Sequence, residues 1–89
     1  MTPPVEVTPT GYKHGFEFEE ALYVMARPVG EDVIEVTERG EIRAYVGYPY
    51  LGSDRKVELL AELIRPATVK VFHFSDLTDH WRHLWTEET

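Results

Sequence analysis

Four histidines and a handful of arginines are the residues of this chain best equipped for chemistry. His14 stands just before a helical pattern, and its imidazole titrates near neutrality, so it suits a general acid or base. The competing reading is a loop histidine that caps or packs the start of that helix. His73 closes a β-patterned run in the same row as Val69 and Val71. A core imidazole and the rim of a site fit that position equally well. Arg43 alternates with Ile42 and Ala44, and Arg82 lies off the apolar stripe of the last helical pattern. These two, with Arg55 and Lys13 in a substrate-binding role, are candidates for a phosphate-facing cluster. The alternative is ordinary surface ion pairing with the many glutamates, which contributes little stability. His80 and His83 are three apart, and Asp79 and His83 four apart, so each pair shares one helix face. Only scattered carboxylates could complete a ligand set there, so no metal site is expected. A glycine-rich phosphate loop, a Gly-x-Ser-x-Gly elbow and cysteine are all missing from the sequence. No cofactor is therefore expected.

The elements that must position these groups follow from the hydrophobic pattern. Phe18, Ala21, Leu22 and Met25 recur at helical spacing, with Glu17, Glu19 and Glu20 in the first turn and Pro28 closing the helix. Val29 to Asp32 reads as a turn, and 33–37 as a β-branched strand. Residues 41–48, 56–64 and 68–74 alternate with a period of two, separated by turn signals at 48–54 and 65–67. Connections this short favour antiparallel neighbours. Residues 76–85 carry Leu77, Trp81, Leu84 and Trp85 on one helical stripe, with Ser75 or Asp76 as cap. The expected fold is α+β: a four-stranded antiparallel meander with one helix before it and one after. Val5-Glu6-Val7 has the pattern of an extra N-terminal edge strand. The expected layout is an extended arm over 1–11, a single domain over 12–86 and an acidic tail over 87–89.

The chain has 89 residues and a net charge of −7, enough for one modest core. That charge disfavours nucleic acid at long range, because phosphate contacts come from cations. No apolar run approaches the ~20 residues of a membrane span, and no signal-peptide pattern opens the chain. A cytoplasmic protein that binds no membrane is expected. Tyr48-Pro49-Tyr50 reads as an exposed loop set suited to a protein interface or base stacking.

Two stretches resemble the BrnT-like group of toxins from bacterial type II toxin–antitoxin systems. In the first, KHGFEFEEALYVM at 13–25, the residues Lys13, His14, Gly15, Phe18, Glu20 and Ala21 match the group's Lys-His-Gly and following helix. In the second, VFHFSDLTDHWRHLW at 71–85, Thr78, Arg82 and Trp85 match, and some relatives carry a histidine at the place of His73. The resemblance implies a RelE-like fold and metal-independent RNA cleavage neutralised by an antitoxin-like partner. His14, Arg43, His73 and Arg82 would carry the catalysis, cations holding the phosphate and a histidine moving the proton.

Three departures from that group support a different function. The helix before Lys-His-Gly is replaced by a proline-rich arm, Ser75 stands where the last strand often ends in arginine, and the chain is acidic. The alternative is a non-catalytic interaction module that dimerises or docks a partner through a sheet edge or the Trp81/Trp85 segment. A weaker variant is an acidic mimic of nucleic acid.

Overall fold

The computed structural model describes the backbone of residues 5–7 and the whole of residues 17–86. The rest of the expected arm and the acidic tail lie outside the described residues. The element order is β1 (Val5–Val7), α1 (Phe18–Ala26), β2 (Gly30–Val36), β3 (Gly40–Gly47), β4 (Val57–Ile64) and β5 (Thr68–Asp76). A 3₁₀ turn at Arg82–Leu84 comes after β5. The strands form one sheet in the order β1-β5-β4-β3-β2. β2 to β5 make the expected antiparallel meander. The N-terminal strand is present and pairs parallel with β5, Val5 opposite Val69 and Val7 opposite Val71. No helix among the described residues is long and apolar enough to cross a membrane.

α1 forms where the helical stripe predicts and ends at Arg27, because the proline after it disfavours helical geometry there. Its buried residues are Ala21 and Val24, with Met25 partly buried, so the stripe is rotated from the predicted one toward Val24. The Glu20 carboxylate reaches back 2.7 Å to accept from the Glu17 backbone N–H and closes the first turn.

The sheet has two covered faces. On the first, Ala21 and Val24 of α1 pack with Tyr45, Val57, Leu59, Ala61, Val71 and Phe74. On the second, Leu84, Leu77, Trp81 and Trp85 pack with Ala44, Val46 and Leu60. The 77–86 segment does this without the predicted second helix. Its backbone bonds run from Trp81 N–H to Thr78 O, Leu84 N–H to Trp81 O and Trp85 N–H to Arg82 O, all of the i→i+3 kind. Threonine, aspartate, histidine and tryptophan are poor helix formers, and so short a piece has little nucleation to spare. Successive tight turns place its apolar side chains on the sheet instead. The segment crosses β2 at Gly30, where a Cβ would lie 1.7 Å from the Leu84 carbonyl oxygen. Nearby, the Thr86 hydroxyl donates to the Val29 carbonyl at 2.7 Å.

Two further corrections concern register. β2 begins at Gly30, so Gly30, Glu31 and Asp32 belong to the strand rather than to a turn. In β5 the pairing shifts between Leu60 and Ala61: Val71 faces Ala61, His73 faces Leu60, and Phe72 is the extra residue. The bulge moves His73 out of the Val69/Val71 row and onto the second face, and puts Phe74 into the core row in its place.

Phe74 is fully buried while Phe72 is half-buried. Phe74→Ala is therefore expected to cost about 3–5 kcal/mol in urea unfolding, and Phe72→Ala distinctly less. Equal losses would mean that the two rings share one face and that the bulge is absent.

Tyr45 is also buried, and burial first, then the charge of Glu31, pushes its phenol above the ordinary value. A raised folded-state value means stability that is complete below the unfolded phenol's pKa and is lost as pH rises through the folded one. Thermal melts above about pH 10 should fall less steeply for Tyr45→Phe than for the unaltered protein; parallel curves would show that Tyr45 is not the titrating core group.

Candidate functional site

The densest polar chemistry among the described residues lies on the second face, where β4, β5 and the 77–86 segment meet. Glu58 is 3% exposed, directly opposite Ser75 in the β4–β5 ladder. A carboxylate at that depth is costly unless its oxygens are filled. One oxygen accepts from the Thr78 backbone N–H at 2.7 Å and from the Thr78 hydroxyl at 2.6 Å. The other faces Nε2 of His73 at 2.9 Å. An ionised carboxylate only accepts, so Nε2 carries the proton and donates. The Ser75 hydroxyl lies 3.1 Å from the same Nε2 and donates to the Asp76 carbonyl at 3.0 Å.

Serine, histidine and glutamate side by side invite comparison with a nucleophile–base–orienter relay. In such a relay the carboxylate holds one ring nitrogen and the hydroxyl gives its proton to the other. Here both groups sit on Nε2, and Ser75 is buried. The imidazole cannot take a proton from Ser75 on a nitrogen already donating to Glu58. The cluster is a fastener: it ties Thr78, and with it the start of the C-terminal segment, to the centre of the sheet.

The predicted phosphate-binding residues do not meet. Arg43 is opposite Ala61, on the face that carries α1, whereas His73 is opposite Leu60 on the other face. The Arg43 guanidinium donates to Glu41 at 2.8 Å and to Glu31 at 3.0 Å. These bonds, Glu41's first, hold it protonated above the ordinary arginine value. Arg82 is exposed and paired with Asp79 at 3.0 Å. Arg55 donates to Asp76, which likewise raises its pKa. His80 and His83 are exposed, and the ring of each lies near that of Trp81. Lys13 and His14 lie outside the described residues.

The aromatic loop is also redistributed. Pro49 is buried, and Tyr48 packs edge-on against Trp85 at 5.1 Å, with Lys56 over the Trp85 ring at 4.9 Å. Tyr50 and Leu51 are the exposed members. Trp81 and Trp85 are half-buried against the sheet rather than presented on a free helix.

A second surface has a different character. Among the described residues, β2 is an edge strand, paired with β3 alone. Val33 and Ile34 are more than a third exposed, and Val36 is 79% exposed. Val33 and Val36 border a groove whose other walls include Leu63, Ile64 and Val69. Sequence reasoning misses both Glu58 and the apolar edge of β2. Glu58 reads there as one of the solvent-side residues of β4, and only the shifted register beside it reveals the burial.

No family model, no curated protein and no solved structure matches the chain.

Glu58→Ala would strip three donors of their acceptor and is expected to cost about 2–4 kcal/mol in urea unfolding. Glu58→Gln, which keeps one acceptor oxygen, should cost less. A Glu58→Ala protein within about 0.5 kcal/mol of the original would show that the carboxylate does not hold the segment.

Proposed function

We propose that this chain is a non-catalytic protein-interaction domain that docks a partner on the open edge of its sheet. The observation that carries this reading is the exposure of Val33, Ile34 and Val36 on a strand that, among the described residues, is paired on one side only, beside an apolar-walled groove. An edge strand of this kind presents free backbone donors and acceptors together with apolar side chains, the two ingredients of strand addition. Natural monomers rarely leave such edges apolar, so an exposed one with three large aliphatic residues supports an interaction site.

The runner-up is a ribonuclease of the BrnT-like kind, suggested by the sequence motifs around His14 and His73. Against it, Arg43 and His73 stand on opposite faces, and Arg43, Arg55 and Arg82 each engage a carboxylate. The two readings are compatible in one respect: both call for a protein partner.

Selecting binders from an unbiased random-peptide library tests the proposal. Binders should be recovered, and the double variant Val33→Asp/Val36→Asp should lose them while keeping its thermal stability, since both positions are exposed. Binders that ignore this variant, or that respond instead to Leu51→Asp in the loop, would reject the edge as the docking surface. RNA cleavage by the purified chain that vanishes with His73→Ala would favour the ribonuclease.

A further inference from the structure

Resting on that reading, we infer that the partner enters as an added β-strand, cationic on one side and apolar on the other. Register fixes what each side of β2 offers. Asp32 and Glu35 face Ala44 and Ile42, on the side of the sheet that carries the C-terminal segment. Val33 and Val36 face Arg43 and Glu41, on the groove side. A neighbouring strand alternates in step with β2, so its side chains meet these two rows separately.

Charge selects the chemistry of that strand. Glu31 and Glu41 share the single guanidinium of Arg43, and Glu62 pairs with Arg39. Among the described residues, the carboxylates of Asp32, Glu35 and Glu38 form no ion pair, and all three residues are exposed; the Glu38 carbonyl accepts from Arg65. The edge thus carries uncompensated negative charge on a chain whose net charge is already −7. Lysines or arginines on the incoming strand would meet Asp32 and Glu35, while valine- or isoleucine-like residues would lie over Val33, Val36 and the groove.

The same features disfavour a second copy of this chain as occupant. Pairing β2 with its own copy would crowd acidic rows of both copies into one edge, and like charges on paired strands repel. The pairing shift between Val33 and Glu35 leaves Ile34 as an extra residue and interrupts the edge, which blunts continuous self-pairing.

Three synthetic peptides of one length separate the outcomes: alternating lysine and valine, the same with glutamate for lysine, and the lysine–valine peptide with a central proline. Fluorescence anisotropy should show binding by the first alone, weakening as salt is raised. Asp32→Asn/Glu35→Gln should weaken it about tenfold, the loss of one or two charge pairs. Equal binding of the lysine and glutamate peptides, or no effect of the Asn/Gln variant, overturns the cationic assignment while leaving an edge-docking domain intact. Undiminished binding of the proline peptide overturns strand addition, because proline removes a ladder donor. A dimer by light scattering that Val36→Asp dissolves makes the occupant a second copy and overturns the inference. If library selection also yields no edge binder, the proposed function fails with it.

Discussion

An ionised carboxylate in a protein interior is costly unless its oxygens are hydrogen-bonded. Glu58 meets that condition with donors from two other parts of the chain: the backbone and hydroxyl of Thr78, and the ring of His73. His73 reaches Glu58 because the β5 bulge at Phe72 turns it to the second face. The bulge and the buried charge are therefore one device. Without the shift, the imidazole would stand in the core row, and one oxygen of Glu58 would lose its partner.

This device sets the arrangement of surfaces. Pinning Thr78 starts the 77–86 segment in a direction that lays Trp81, Leu84 and Trp85 over Ala44, Val46 and Leu60. The segment then passes Gly30, where only a glycine leaves room for the Leu84 carbonyl. With α1 packed on Tyr45, Leu59 and Phe74 on the other side, both faces at the centre of the sheet are covered. Among the described residues, β2 is left at the margin, backbone edge open and side chains exposed. A small domain with one modest core can carry such an edge because its stability is concentrated in β3, β4 and β5. These three strands supply most of the buried residues.

Much of the fold is legible in the sequence, and the failures have physical causes. The meander is readable because period-two alternation and short turns leave antiparallel neighbours as the simplest solution. The end of α1 is readable from Pro28. The β5 bulge is not, because Val-Lys-Val-Phe-His-Phe alternates acceptably in either frame, and a shift of one residue exchanges the faces. The second helix is predicted from a stripe that real side chains do occupy, but Leu77, Trp81, Leu84 and Trp85 reach the sheet from 3₁₀ turns. For the site, residue types point to His73, yet its partner Glu58 lies fifteen residues before it in sequence, and Thr78, which donates to the same carboxylate, five after. Arg43 reads as available to a phosphate because nothing in local spacing reveals that Glu41 and Glu31 converge on it.

Residue-resolved amide hydrogen exchange on the native protein reads both the fastener and the open edge in one experiment. Slow exchange is expected at the Thr78 amide, lost in Glu58→Ala. Alternating fast and slow amides are expected along β2, the slow ones bonded to β3 and the fast ones facing outward. Uniform protection of β2 would mean that its edge is covered within the chain, and a fast Thr78 amide would mean that Glu58 holds nothing; either result contradicts a buried carboxylate that fastens the C-terminal segment and leaves β2 open.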